Sequence, residues 1–354
     1  MTPPQPLALL TKTFLVSGLL LLAVIFLVQG AGVLIPVAIA LLVWFLLNAM
    51  ANGYRRFPII GRLIPRSLAL ILSLGTVILI GVLVLDMVVR TVSDLATRTS
   101  DFQHGLNPVI DRIGDKLGLS NKEVLNRIAD SIGIERLLGL IVAEMASFAS
   151  QFGVIVIYVI FLMIDQQFFD MKLEALVRDE KRRTHIRGIL RRVAHGIQGY
   201  LSVMTLVSGL TAGLSYAVML WIGLEHTAFW AIIIFMLNFI PTIGSFIGTL
   251  LPATFALMQF QEFKPFFILL ASIGLIQFVM GNILQPRLAG NKLNMSHFVI
   301  ILSLFVWGAI WGVTGMFLAV PIMAILMITF SNFEATRPWA VLLSQSGRVE
   351  QESK

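Results

Sequence analysis

Asn238, Pro241, Thr242, Gly244 and Ser245 stand in the middle of an apolar run that reaches from Phe229 to Met258. Amide and hydroxyl groups donate and accept hydrogen bonds without carrying charge. At membrane depth they suit a polar solute that is uncharged or zwitterionic. Pro241 withdraws a backbone donor and disturbs the helix before it, while Gly244 allows a turn. Non-helical backbone inside a bilayer is tolerated only where protein or a water-filled cavity covers it, so the freed carbonyls need partners or face a solute. A second polar cluster, Gln277, Gly281, Asn282, Gln285, Pro286 and Arg287, ends the next apolar segment. Arg287 is placed either to pair with an anionic group or to snorkel from a helix end. The candidate solute-binding residues are therefore Asn238, Pro241, Thr242, Gly244, Ser245, Gln277, Asn282, Gln285 and Arg287. Coupling to protons or sodium ordinarily uses a buried carboxylate. The candidates for that role are Asp86, late in the third apolar segment, and Asp165, at the end of the fourth; both lie near segment ends, and no acid stands at a segment centre.

Other chemistries find little footing. The chain lacks G-x-x-x-x-G-K-[ST] and H-E-x-x-H, so neither an ATP site nor that zinc site is encoded. His104, His185, His195, His226 and His297 show no ligand spacing, and there is no Cys for a thiolate site or a Cys nucleophile. The short match 213-GLS-215, with His226 or His297 as base, is too slight to argue an intramembrane serine protease. No enzyme activity, cofactor or metal is expected.

The elements that must hold these groups are membrane helices. Hydrophobic residues make up 57% of the 354 residues and charged residues 13%, with mean hydropathy +0.90. Soluble domains carry about 25% charge. Apolar segments cover 7–28, 33–50, 67–89, 148–164, 200–224, 229–258, 265–284 and 297–331. The first resembles a signal peptide, but a second apolar segment follows at once, so it reads as an uncleaved span. The chain divides into 1–89 (three N-terminal spans), a polar block 90–147, a fourth span 148–164, a basic block 165–199, a broken-helix core 200–333 and a tail 334–354. The loop 51–66 carries Arg55, Arg56, Arg62 and Arg66 with no acid, and 165–199 carries eight cations against five acids. Both face the cytoplasm by the positive-inside rule; the near-neutral block 90–147 then lies outside.

Within that outer block, Ser120 and Glu123 form an S-x-x-E capping box before Val124, Leu125, Ile128 and Ile132, and Ile110, Ile113 and Leu117 suggest an earlier helix. A small helical cap on the membrane part is expected. In 182–201, Ile186, Ile189, Leu190, Val193 and Ile197 share one face and Arg183, Arg187 and Arg191 another. That pattern predicts a basic amphipathic helix on the cytoplasmic membrane surface, drawn to anionic lipid. Membrane charge, rather than nucleic acid, accounts for the formal +7.

The second half admits two topologies. Eight plain spans would leave Arg287 and Lys292 outside, against the charge rule. Segments 229–258 and 297–331 are also long for single crossings, which need about 20 residues. Six spans with two re-entrant hairpins, turning near Pro241–Ser245 and within 307-WGAIWGVTG-315, put every cation-rich short loop on one side. The two units then enter from opposite faces, an inverted arrangement of the kind found in secondary transporters. The motifs 209-GLTAG-213, 244-GSFIG-248 and 308-GAIWG-312 match G-x-x-x-G, a pattern for close helix packing.

Three segments, 236-MLNFIPTIGS-245, 281-GNILQPRLAG-290 and 302-LSLFVWGAIWGVTGMFLAVPI-322, resemble the autoinducer-2 exporter (AI-2E) family of membrane permeases. The order of elements agrees along almost the whole chain. The resemblance implies export of a small polar solute, autoinducer-2-like, by a secondary-type mechanism in the bacterial inner membrane, with a role in quorum sensing; the charge-based topology puts both termini in the cytoplasm. It carries the family's N-F-I-P-x-I-G element onto Asn238, Phe239, Ile240, Pro241, Ile243 and Gly244, and its G-N-x-x-x-P-[RK] element onto Gly281, Asn282, Pro286 and Arg287. Other members are sodium(lithium)/proton antiporters; Gln285 stands where many members have Glu, which removes a proton-binding carboxylate. The alternatives are that antiport, or a membrane scaffold docking through the outer block and basic helix. A homo-oligomer is expected.

Overall fold

The computed structural model describes residues 6–56, 65–97, 134–289 and 294–347. Among these residues every regular element is a helix, apart from one isolated bridge between Met295 and Ser344. The helices are α1 (Pro6–Gln29), α2 (Ala31–Arg56), α3 (Arg66–Thr97), α4 (Ile134–Asp165), α5 (Phe169–Leu176), α6 (Glu180–Ile222), α7 (Thr227–Leu237), α8 (Ile243–Phe260), α9 (Phe263–Val279), α10 (Gln285–Ala289), α11 (His297–Ser331) and α12 (Arg337–Leu343). Seven described helices are long and apolar enough to cross a membrane. The chain is an all-α integral membrane protein.

Local sequence sets several boundaries. Asp179 caps α6 by accepting from the backbone N–H of Lys181 and Arg182, and Gly223 in the left-handed region ends it, the usual helix stop. α1 meets α2 at Gly30, where helical hydrogen bonding continues from Gly30 N to Phe26 O and from Leu34 N to Gly30 O. The two are thus joined by a bend rather than a loop. α3 and α4 each have 32 residues, about 48 Å, so both overrun a hydrocarbon core of about 30 Å. The outer block expected over 90–147 therefore begins as the tail of α3 and ends as the head of α4. Its capping box at Ser120–Glu123 and the Ile110 helix lie outside the described residues, as does Lys292.

One expectation fails. The basic stretch from Arg182 to Leu201 is not a separate surface helix. It is the first half of α6, a single helix of 43 residues and about 65 Å. No proline interrupts it, and Ile189, Ile197 and Leu201 on its apolar face are buried, with Ile197 and Leu201 in the same cluster as Leu47 of α2 and Val159 of α4. Part of its apolar stripe, Ile197 and Leu201, meets protein, while Leu190 of the same stripe is exposed. α5 lies beside its start, held by Arg187, which pairs with Asp170 at 2.9 Å and Glu174 at 3.7 Å.

The two odd segments both fold back on themselves. α7 and α8 run antiparallel: a Cβ on Gly244 would lie 1.7 Å from Leu237 O, and one on Gly248 would lie 3.7 Å from Ile234 Cα. The open end of this hairpin is closed by Gln259, whose Nε2 donates to Gly223 O at 3.0 Å while its Oε1 accepts from Glu225 N at 2.8 Å. α11 reverses at Trp311 and Gly312, the latter at φ 62°, ψ −145°. Its legs, 297–310 and 313–331, approach so closely that a Cβ on Gly315 would lie 1.9 Å from Trp307 O. The open end of this second hairpin is tied by Ser296 N to Leu343 O at 3.0 Å and Gln345 N to Asn294 O at 2.9 Å. Two hairpins, not eight plain spans, are what the chain builds.

The hairpins enter from opposite ends of α6. The first opens beside Gly223, at the last residue of that helix. The second ends beside its basic start, where Arg192 donates to Asn332 and Gly196 faces Ile328. Apolar helices in lipid gain no hydrophobic energy from associating, so close packing must hold them. Phe229, Trp230 and Phe255 supply it in the first hairpin, with Phe229–Trp230 and Trp230–Phe255 ring centroids 5.2 and 5.1 Å apart.

Of the three G-x-x-x-G matches, Gly244 and Gly248 lie at a close helix approach, and Gly308 faces Met316 of the opposite leg with Gly312 in the turn. Gly209 and Gly213 meet nothing within 4 Å of a built Cβ. The packing expected of 209-GLTAG-213 is absent among the described residues.

Candidate functional site

The reversal at the first tip is forced by its residues. Pro241 cannot donate, so the chain closes through short bonds from Ile240 N to Leu237 O and Ile243 N to Pro241 O, both under 3 Å. Thr242 takes φ 62°, ψ −58°. For a β-branched residue this is an outlier that costs about 1–3 kcal/mol and persists only where surroundings impose it.

The two tips meet. Ile240 packs with Leu304 and Ala319, and Leu237, Ile243, Trp307 and Phe317 surround them. Phe239 of the first tip stacks on Phe317 of the second at 5.0 Å. At the second reversal, Trp311 Nε1 donates to Leu27 O at 2.9 Å. That carbonyl lies in the last turn of α1, where helix carbonyls lack intrahelical partners, so the bond joins the N-terminal helix to the second tip.

Polar groups line the buried face of α6 beside the tips. Asn238 Nδ2 reaches Ser208 Oγ at 3.3 Å and Thr211 Oγ1 at 3.5 Å. Gln285 Nε2 approaches Met204 Sδ at 3.4 Å, one turn toward the basic end. Gln277 is buried, with Nε2 beside the space a Gly248 Cβ would occupy. The helix reaches this arrangement through a π turn over Met280–Leu284, in which Gln285 N–H bonds back to Met280 O. Pro286 has no N–H for the Asn282 carbonyl, and the wider turn absorbs the mismatch.

The structure thus brings Asn238 and Gln285 to one face of α6, points Gln277 between α7 and α8, and sets Pro241, Thr242, Gly244 and Ser245 at the adjoining tip. Thr242 also borders an apolar groove of about 500 Å³ along Ile243, Phe246, Ile247 and Leu250. Asn282 and Arg287 are exposed, and Asn282 Nδ2 returns to its own helix at Phe278 O. The acids lie apart from the tips: Asp86 pairs with Arg90 at 2.9 Å and Asp165 with Lys172 at 2.9 Å, all exposed. Among the described residues no group of His, Asp and Glu could hold a metal ion.

Three buried hydroxyls, Ser208, Thr211 and Ser215, join the site; in the sequence Ser215 stands out only in the slight 213-GLS-215 match, and the other two not at all. Their spacing of i, i+3, i+7 within 208-SGLTAGLS-215 is the signal that marks one helix face. Chemically, the arrangement offers neutral donors and acceptors, Asn238, Ser208 and Thr211, beside the first reversal.

Comparison with known proteins follows the same order of elements. The AI-2E family transporter pattern matches residues 15–335. The AI-2 transport protein TqsA of Escherichia coli is 25% identical over 340 residues, 94% of this chain and 95% of its own. YhhT of the same organism is 24% identical over 356 residues, 97% of each chain. YrrI of Bacillus subtilis is 36% identical over 138 residues, 39% of this chain and 37% of its own.

Proposed function

The chain belongs to the AI-2E transporter family, and from that premise we propose that it is a permease exporting a small, polar, uncharged solute of the autoinducer-2 type. One observation carries this reading: two helical hairpins enter from opposite ends of α6, and the tip of the first packs against the legs of the second beside buried neutral polar groups. Opposed broken helices at mid-depth are how secondary transporters build a site that one side, then the other, can open. Each tip is a gate on the path past α6, and the uncharged lining selects against ions. Proton or sodium antiport would need a titratable group at the tips, and Asp86 and Asp165 stand in exposed pairs elsewhere. The protein is a multi-pass membrane protein. Its basic end, with Arg182, Arg183, Arg191 and Arg192, faces the cytoplasm of a bacterial inner membrane and contacts anionic lipid. Both termini lie on that side. α1, exposed along nearly all of the length for which burial is described, is the surface available to a second copy.

Cross-linking tests the gate. The chain has no native Cys, so Ile240→Cys with Ala319→Cys can be bridged by a short bis-thiol reagent in proteoliposomes loaded with autoinducer-2. Efflux should stop on cross-linking and return on reduction. Undiminished efflux from fully cross-linked protein would refute the gating role of the tips.

A further inference from the structure

Ser208, Thr211 and Ser215 put hydroxyls on one face of α6 over about 10 Å, and each is completely buried. Only part of their bonding capacity is used. Thr211 Oγ1 donates to Val207 O, Ser208 Oγ accepts from Asn238, and Ser215 Oγ has no partner. A second unpartnered group arrives at the same level from another helix. The register of α6 and α7 is fixed by Asn238 beside Thr211 at one end and the turn from Gly223 to His226 at the other. It sets Ile234 opposite Ser215. A Cβ on Gly248 would lie 3.7 Å from Ile234 Cα and 3.6 Å from Gln277 Nε2, so the Gln277 amide points between α7 and α8 at that height. Gln277 is 7% exposed and its Nε2 has no partner. Trp230 Nε1, about one turn farther toward the open end of the first hairpin, is also unpartnered.

Buried polar groups are nearly always bonded, and an unmade bond is expensive where no water reaches. Three such atoms at neighbouring levels of α6, α7 and α9 mark a place completed by something else during the protein's cycle. Hydroxyl, amide and indole groups offer donors and acceptors without charge. That matches neither a cation nor an anion. It matches a small molecule bearing several hydroxyls, with Trp230 supplying an aromatic surface.

We propose that Ser215 and Gln277, flanked by Asn238 and Trp230, form a closed subsite for a neutral polyhydroxylated solute, filled when the first hairpin moves off α6. This rests on the permease reading and specifies its substrate class and the contact residues. Two measurements that need no flux test it. In proteoliposomes, Ser215→Cys should react with the small neutral reagent methyl methanethiosulfonate, and excess glycerol, erythritol or ribitol should slow that reaction at least fivefold, whereas sodium chloride of equal osmolality should not. No reaction, or reaction at one rate in every polyol, overturns the proposal. Polyols stabilise any protein by exclusion from its surface, so thermal shifts are read as differences. Ribitol should raise Tm more for wild type than for Ser215→Ala and for Gln277→Leu; equal shifts in all three proteins overturn it. A wild-type protein that passes both tests yet moves no solute would instead remove the permease reading and leave the subsite standing.

Discussion

Placing one methyl group at the crossing of each hairpin measures whether the reversals are built as described. A Cβ at Gly244 falls 1.7 Å from Leu237 O and one at Gly315 falls 1.9 Å from Trp307 O, whereas real Cβ contacts rarely fall below 3.0 Å. Both obstacles are backbone, so the legs must part by more than 1 Å, and no rotamer change relieves the clash. Overpacking absorbed by flexible side chains costs about 1–3 kcal/mol; with rigid backbone on both sides, Gly244→Ala and Gly315→Ala should each lose about 3 kcal/mol or more. Gly209 and Gly213 are the internal standard. They lie inside α6 with open space around a built Cβ, and alanine there should gain about 0.5–1 kcal/mol by restricting the unfolded chain. The predicted gap between the two pairs is therefore about 4 kcal/mol by the same principles. Unfolding by sodium dodecyl sulfate in mixed micelles, followed by tryptophan fluorescence, reads it directly. If Gly244→Ala or Gly315→Ala unfolds at the same denaturant fraction as Gly209→Ala, the legs do not cross at those glycines.

Three further outcomes follow from the same geometry. Thr242→Gly should stabilise the protein by about 1 kcal/mol in that titration, since glycine adopts the positive φ of 62° without strain; destabilisation would mean the side chain contributes more than its strain costs. Trp311→Phe deletes the bond to Leu27 O and should cost about 1–2 kcal/mol while leaving the cross-link between the hairpins at 240 and 319 intact; loss of that cross-link would show that α1 positions the second hairpin. Asp86→Asn with Asp165→Asn removes two exposed ion pairs, each worth about 0–1 kcal/mol. Efflux should be unchanged at every external pH, and a lost pH dependence would restore the antiport reading.

Much of the helical framework was legible because its signals are local. Apolar runs of span length, the arginines of 51–66 and 165–199, and the Pro–Gly break after Asn238 each act within a few residues. Even the two reversals could be anticipated, since runs of 30 and 35 residues with a small-residue centre fit a single crossing poorly. The continuity of α6 was less legible. Its first half has the face separation of a surface helix, and only the presence of α2 and α4 against Ile197 and Leu201 decides that this face meets protein.

The sequence by itself determined that this chain is a multi-span helical membrane protein, where its helices break, and which polar residues stand at the breaks. Those are properties of composition and of backbone chemistry within a turn or two. Tertiary structure alone decided that the first break packs against the second hairpin, because Ile240 and Ala319 are far apart along the chain and no period links them. It alone drew Gln277 and Ser215 to one level on opposite helices. It also left Asp86 and Asp165 away from the tips, each held by a nearby cation. Partnership between distant helices depends on register and crossing geometry, which follow from how all the faces pack at once.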